Sequence, residues 1–283
     1  MTYTVDAISE PRIIEENKNF AVVYKPPEMH CAPLKKSDGE SLTGWFGSQC
    51  PAIFSVKAKN PWEGGLMHRL DRDTRGLVLF AKNQCAYDFL QKEQGEGRFL
   101  KQYRALCCKA PVCNPGFPPY DTAGQIPDRI ESFFRAYGRG RKEVRPVCNA
   151  ELPSRETAAD RGIEYRTEIQ GFKEVPSNAN ETPLALFDLQ LARGFRHQIR
   201  CHLAWIGYPI LNDELYWHHK NGNLASELEI GRSNCGEKPL FMQQSAHGHL
   251  ALCAYGLSFT GPDSKAYNIR IGSHELELSP DSG

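Results

Sequence analysis

The chain has 283 residues, 40% of them hydrophobic and 24% charged, which is enough apolar material for a globular core. Its 34 basic and 34 acidic residues cancel, so net charge alone does not favour binding to nucleic acid, and local clusters have to decide. No apolar run approaches a membrane span, and the polar, acidic N-terminus is not typical of a secretory signal peptide. The ten cysteines form no C-x-x-C pair, which predicts reduced thiols, no metal site and a cytoplasmic protein.

Apolar runs in the first half of the chain predict strands separated by turns. "FAVVYKPP" (20–27) is typical of a short buried strand that ends at a Lys-Pro-Pro turn, and "GLVLFAK" (76–82) of a central strand. Asn83 is a candidate cap for the helix "NQCAYDFLQKEQ", which we expect to end at the two glycines that follow it. In the predicted strand "FLKQYRALCC", alternation places three side chains on one face: Lys101, Tyr103 and Ala105.

The second half also favours strands over helices. We expect strands at "IEYRTEI", "LALFDLQL", "LALCAYGLSF" and "AYNIRI", with a polar loop "GFKEVPSNANETP" between the first two. "RHQIRCHLAWIG" (196–207) predicts a helix on which Arg196 and Arg200 are neighbours, four residues apart. Strand and helix do not alternate regularly, so the predicted fold class is α+β, a mixed and largely antiparallel sheet flanked by a few helices.

Charges are concentrated in "HRLDRDTRGL" (68–77), directly before a predicted central strand. If this stretch is extended, Asp71 and Asp73 point to the same side. The stretch is either a charged turn whose ions pair with one another or the site of a carboxylate kept ionised by arginines. In the second case an aspartate is available as a nucleophile or base.

A second basic stretch is "RAYGRGRKEVR" (135–145), with five basic residues and one acid. It is either a solvated hairpin tip or an RNA-binding element in which glycines let arginines approach phosphates. Nearby aromatic residues could stack on bases, namely Phe133, Phe134 and Tyr137.

Taken in order, these segments resemble the RluA-type pseudouridine synthases over roughly residues 13–262. "IIEENKNFAVVYKPPEMHCAP" is similar to the opening strand and Lys-Pro turn of that family, and "MHRLDRDTRGLVLFAKN" to its motif H-R-L-D-x-x-T-x-G-L. "LKQYRAL" is similar to its lysine-x-tyrosine strand, and "RHQIRCHLAWIGYPILNDELY" to its arginine motif.

The resemblance implies an isomerase that converts uridine in rRNA or tRNA to pseudouridine without a cofactor or metal. It implies Asp71 as nucleophile, Tyr103 as the residue stacked on the uracil, and Arg200 as a bidentate partner that keeps Asp71 charged and oriented. Whether Asp71 adds to the sugar or to C6 of the base stays open. We expect RNA to contact His68, Arg69, Arg72, Arg75, Arg139, Arg141, Arg196, His197 and Gln198.

Several residues depart from the family pattern, among them Arg75 and Cys253. Arg75 stands where a small residue such as serine is common, and Cys253 where histidine is usual. We expect residues 1–12 to be a tail and residues 13–283 to be a single catalytic domain, with no separate N-terminal RNA-binding domain and no obligate protein partner, as a monomer. Asp73 we expect to pair with Arg69 or Arg72.

Two other functions remain alternatives. A non-catalytic RNA-binding or RNA-folding protein could keep the same fold, and only activity separates it from an enzyme. "DRDT" also resembles the D-x-D motif of magnesium-dependent aspartate phosphatases, although that motif should close an apolar strand, and a Gly-Gly-rich segment precedes it here.

Overall fold

The computed structural model describes residues 3–4, 9–33, 41–110, 114, 116–120, 125–148, 162–175, 183–216, 249–272 and 279–280. Within these ranges, ten strands join in one sheet whose paired strands run antiparallel except at one parallel pair. The helices Leu42–Gln49 (α1) and Gln198–Trp205 (α3) pack on one apolar cluster and Gln84–Gly95 (α2) on another. The predicted α+β class with a largely antiparallel sheet is confirmed.

The strands in chain order are Tyr3–Thr4 (β1), Arg12–Glu16 (β2), Phe20–Lys25 (β3), Arg75–Ala81 (β4), Leu100–Cys108 (β5), Arg129–Tyr137 (β6), Glu143–Val147 (β7), Tyr165–Val175 (β8), Leu184–Leu191 (β9), Leu252–Thr260 (β10), Ala266–Arg270 (β11) and Ser279–Pro280 (β12). The large sheet has the order β2-β3-β4-β10-β5-β9-β8-β6-β7, with β11 on β10. A separate pair joins β1 to β12, so part of the expected N-terminal tail is paired with the C-terminal region.

The parallel contact between β4 and β10 explains the glycine that follows Arg75. Gly76 has a φ of 129°, and a Cβ there would lie 2.3 Å from the carbonyl oxygen of Ala254. Only glycine lets the two backbones approach this closely. The close approach fixes the start of β4, and with it the end of the charged loop that precedes the strand.

Local sequence signals account for α2. The side chain of Asn83 accepts a hydrogen bond from the backbone N–H of Ala86 (2.9 Å), which caps the helix as predicted. Ala86 and Leu90 are buried beneath it, and the helix ends at Gly95. The apolar stripe therefore fixes both the existence of the helix and the face that it buries.

Two predicted boundaries are wrong. The helix expected from residue 196 begins at Gln198, because His197 adopts a left-handed conformation with φ 57°. Arg196 therefore precedes the helix and is not a helical neighbour of Arg200. The predicted polar loop 171–183 is also too long, since β8 continues to Val175 and pairs with β9 through backbone bonds that do not depend on side-chain polarity.

Candidate active site

A cleft of about 440 Å³ lies between the loop 68–74, β5 and the start of α3. It brings together the three side chains that the sequence marks as catalytic candidates, Asp71, Tyr103 and Arg200. They come from segments that are far apart in the chain and meet only because β5 lies near the centre of the sheet. A cleft with converging polar groups is the usual form of a small-substrate site.

Two buried side chains hold the loop that carries Asp71. The ammonium group of Lys25 donates to the carbonyl oxygens of Pro26 (2.8 Å), Met29 (2.8 Å) and Arg72 (2.9 Å). The backbone N–H of Leu70 donates to the Cys31 sulfur at 3.1 Å. The loop is thus fixed on both sides of Asp71, which keeps its carboxylate in one position.

The fixed loop is a turn and not an extended strand. The N–H of Thr74 donates to the carbonyl oxygen of Asp71 (3.2 Å), and Asp73 pairs with Arg72 (3.2 Å) as the sequence predicts. Asp71 lines the cleft while Asp73 has a side chain that is 46% exposed. The two aspartates, equivalent in an extended chain, are therefore distinct.

Lys25 also carries charge beneath the nucleophile candidate. It is fully buried, and burial, only partly opposed by Cys31, Asp73 and Asp71, lowers its pKa to about 8. A protonated Lys25 at neutral pH places a positive charge behind the loop. The sequence shows this residue only as part of a Lys-Pro turn.

Asp71 has two cationic or polar neighbours at its open side. Its carboxylate oxygens lie 3.9 Å from Nη1 of Arg200 and 3.9 Å from Nε2 of His197. Its side chain is 24% exposed. Both separations exceed hydrogen-bonding distance, so the carboxylate faces the cleft with lone pairs available.

The expected bidentate pair between Arg200 and Asp71 is wrong. Arg200 donates from Nε and Nη2 to the two carboxylate oxygens of Asp213, both at 2.7 Å. Burial alone would lower the pKa of Arg200, but the hydrogen bonds to Asp213 raise it above its ordinary value. Arg200 is thus a fixed, permanently charged group that points its third nitrogen at Asp71.

Asp213 is the residue that sequence reasoning missed. It is fully buried and also accepts from the backbone N–H groups of Leu215 (3.0 Å) and Tyr216 (3.1 Å). An acid inside the apolar run "YPILNDELY" was the available signal, because a buried carboxylate requires a partner of opposite charge. The partner of Asp213 is Arg200, and the rest of α3 and a turn separate the two residues in sequence. A pattern of neighbouring residues does not predict such a pair.

Tyr103 and Lys101 form the floor of the cleft on β5. Tyr103 is 6% exposed, and burial, reinforced by the charges of Asp71 and Cys31, raises the pKa of its phenol. Lys101 donates to the carbonyl oxygen of Ala192 (2.8 Å), and burial lowers its pKa to about 8. Tyr103 therefore stays protonated and offers a neutral aromatic face together with an O–H.

Three expected RNA contacts are built into the protein. Nε2 of His68 accepts from the N–H of Leu79 (3.2 Å), and burial lowers its pKa to about 3, so it is a neutral part of the cleft wall. The side-chain amide of Gln198 donates to Thr167 (3.1 Å) and to the carbonyl oxygen of Arg166 (2.9 Å) on β8, and it accepts from the N–H of Phe195 (2.9 Å) before α3. Arg75 is 3% exposed and lies against Cys253, so it cannot reach RNA from this position.

The other basic residues surround the opening of the cleft. Arg69 is 67% exposed and pairs with Glu63 (3.5 Å), and Arg72 is also exposed. Arg196 lines the cleft and donates to the carbonyl oxygen of Arg141, which brings the tip of the β6–β7 hairpin to the cleft rim. The side chain of Arg139 lies outside the described part of the structure.

Two aromatic residues of this hairpin already contact other side chains. Phe134 stacks on Phe195 with ring centroids 5.1 Å apart, and Tyr137 lies beneath the Arg145 guanidinium at 4.8 Å. The Phe134–Phe195 stack fastens the hairpin to the segment that precedes α3, whereas the Tyr137–Arg145 contact lies within the hairpin. One face of each ring is therefore covered, and base stacking by these residues stays a prediction.

Within the described ranges, no three His, Cys, Asp or Glu side chains are grouped closely enough to hold a metal ion. The described cysteines have free thiols, in agreement with the sequence. None of the helices in these ranges combines the length and the hydropathy needed to cross a membrane.

Comparisons with known proteins identify the family. The family model for RNA pseudouridylate synthase matches residues 19–205. The chain is 30% identical over 204 residues to the uncharacterized RNA pseudouridine synthase YhcT of Bacillus subtilis, covering 72% of this chain and 57% of the relative. It is 26% identical over 252 residues to ribosomal large subunit pseudouridine synthase D of Neisseria meningitidis serogroup B, covering 89% and 55%.

Solved structures agree at the level of the fold. Human RNA Pseudouridylate Synthase Domain Containing 1 has a TM-score of 0.56 at 17% identity, over 93% of this chain and 84% of that one. Domain Containing 4, also human, has a TM-score of 0.55 at 18% identity, over 93% and 92%.

The fold is that of an RNA pseudouridylate synthase domain. The chain belongs to the RNA pseudouridylate synthase family, which confirms the resemblance seen in the sequence. It spans little more than half the length of the curated relatives that it matches.

Proposed function

We propose that the protein isomerises uridine to pseudouridine in RNA, with Asp71 as the nucleophile. The observation that supports this most is the carboxylate of Asp71, fixed on a buried loop and open to the cleft 3.9 Å from Arg200. A charged guanidinium at that distance attracts the carboxylate without occupying its lone pairs. The shape of the site therefore suits a nucleophile better than a structural ion pair.

The reaction needs little beyond these groups. The N1–C1′ bond of uridine breaks, the base rotates, C5 bonds to C1′, and a proton leaves C5 while N1 gains one. Asp71 would hold the intermediate as an ester with the sugar or as an adduct at C6, and both alternatives stay open. Tyr103 would support the extruded base with its ring and could move a proton through its O–H.

The substitution Asp71→Asn tests this assignment. Pseudouridine formation should fall at least about 10³-fold, as expected for loss of a covalent nucleophile, while RNA binding persists. Asp73→Asn is the matched control, since Asp73 sits on the same loop but pairs with Arg72 at the surface. Equal activity of the two variants would remove Asp71 from the mechanism.

The RNA target follows from a separate experiment. One relative is named for the large ribosomal subunit, so we propose ribosomal RNA as the first substrate to test and transfer RNA as the second. Pseudouridines mapped in total cellular RNA with and without the protein would identify the site. If the wild-type protein forms none in any RNA, the non-catalytic RNA-binding alternative replaces the enzyme.

A further inference from the structure

Two large aromatic side chains are exposed close together in the segment between α1 and the Asp71 loop. Phe54 is 48% exposed and Trp62 is 39% exposed. The other large hydrophobic side chains exposed to this degree in the described ranges are Ile163 and Phe172. Exposed aromatic pairs of this kind commonly mark a binding surface.

The segment is rigid. Phe54 lies on the 3₁₀ turn Pro51–Ser55 and Trp62 on the 3₁₀ turn Pro61–Glu63, each begun by a proline. The ring of Phe54 is seated on glycine, because a Cβ on Gly47 would lie 2.3 Å from it. Exposed rings that are held in place lose little conformational entropy when a ligand stacks on them.

This surface leads to the catalytic cleft. Glu63, next to Trp62, pairs with Arg69 at 3.5 Å, and Arg69 lines the cleft. The N–H of Lys57 donates to the side chain of Gln84 (2.7 Å) at the start of α2, and Gln94 near the end of α2 lines the cleft. Ten helical residues correspond to about 15 Å, the length of about four stacked nucleotides.

The positive charge of this surface favours an anionic ligand. Lys57 and Lys59 are exposed beside the aromatic rings, and the side chain of Arg69 is 67% exposed at the cleft end. The acid in the same segment, Glu63, is 17% exposed and already paired. Aromatic faces among cations are the usual platform for unpaired bases and their phosphates.

We propose that Phe54, Lys57, Lys59 and Trp62, the 54–62 platform, bind a single-stranded stretch of RNA next to the target uridine. This inference rests on the proposed function, because the cleft at its end would hold the extruded base. The aromatic rings stack on flanking bases, and the lysines contact their phosphates. The platform thereby extends substrate binding to the face formed by α2 and the two 3₁₀ turns.

The test compares Trp62→Ala with Phe172→Ala, whose ring is 38% exposed on β8 and does not line the cleft. Fluorescein-labelled U12 RNA is the binding probe, and the mapped substrate RNA gives KM and kcat. Trp62→Ala should weaken U12 binding and raise KM about tenfold with kcat unchanged, since base stacking on one aromatic ring is of that order. Trp62→Phe should restore most of the loss, and Phe172→Ala should match the wild type.

The lysines are tested by salt dependence. Changing both Lys57 and Lys59 to alanine should reduce the slope of log affinity against log salt by about 1.4, about 0.7 for each phosphate contact on a single strand. The inference is overturned if Trp62→Ala binds U12 as well as the wild type, or if Phe172→Ala weakens it equally. The inference also fails if Trp62→Ala changes only the oligomeric state measured by sedimentation. That result would show that the platform binds another protein chain and not RNA. Absence of pseudouridine with an intact U12 effect would refute the proposed function alone.

Discussion

The buried pair of Arg200 and Asp213 makes a quantitative prediction for Asp213→Asn. Asparagine keeps the shape of the side chain and one carbonyl oxygen, which can still accept from the N–H groups of Leu215 and Tyr216. Its amide nitrogen cannot accept from Nε of Arg200, which now donates to Asp213 at 2.7 Å. The guanidinium therefore loses its counter-charge while it stays buried at 6% exposure.

The expected cost is large. Breaking a buried ion pair by removing one charge costs about 3–5 kcal/mol, a major part of the 5–15 kcal/mol that stabilises an ordinary domain. Among the described residues, Arg200 then has one carboxylate left within 4 Å, that of Asp71 at 3.9 Å. We expect Arg200 to close on Asp71 and occupy its lone pairs, so that kcat falls in the molecules that remain folded.

Urea unfolding of the wild type, Asp213→Asn and Asp188→Asn measures this. Asp188 accepts a similar bidentate pair from Arg104 at 2.7 and 2.9 Å, but both side chains are 30% exposed, so its loss should cost under about 1 kcal/mol. A similar loss of unfolding free energy in the two variants would refute the argument that burial determines how much each ion pair contributes to stability. An Asp213→Asn protein with wild-type kcat would refute the link to Asp71.

Two further predictions concern buried cationic and neutral groups. Lys25→Met should lower kcat at least about tenfold, because the Asp71 loop loses its anchor. It should also lower the free energy of unfolding by about 1–3 kcal/mol, because the carbonyl oxygens of Pro26, Met29 and Arg72 lose their donor. Unchanged kcat in steady-state assays would contradict this. His202, which bonds to Ser132 (2.9 Å) and Thr167 (2.8 Å), has its pKa lowered to about 3 by burial. Its unfolded form binds a proton near pH 6.5 and its folded form does not, so its contribution is complete above pH 6.5 and falls by about 2 kcal/mol by pH 5. His202→Gln should flatten that acid limb in urea titrations, and an unchanged slope would show that other groups cause it.

Features that depend on neighbouring residues within one helix or strand could be predicted from the sequence. The Asn83 cap and the shared face of Lys101, Tyr103 and Ala105 follow from spacing within one element, and all four residues take the predicted positions. Asp71 and Asp73 differ in exposure because the chain turns between them, with the N–H of Thr74 bonded to the carbonyl oxygen of Asp71. Hydrophobic periodicity does not predict a turn of that kind. The partner of Arg200 was misassigned for a related reason. A motif shows which charges are present, but the path of the chain after α3 decides which acid reaches the guanidinium first.

Arg75 and Cys253, which both depart from the family pattern, show the same limit of sequence-based prediction for residues far apart in the chain. In the sequence, Arg75 and Cys253 are two unrelated departures. At position 75 a large residue replaces a small one, and at position 253 a small residue replaces a larger one. In the structure they are register partners on β4 and β10, and the charge of Arg75 opposes the burial that raises the pKa of the Cys253 thiol. Both are 3% exposed, so the volume that one gains must be given up by the other. A histidine at 253 would crowd the guanidinium and place a second basic group against it. The two departures are therefore explained together, as one exchange of volume inside the sheet.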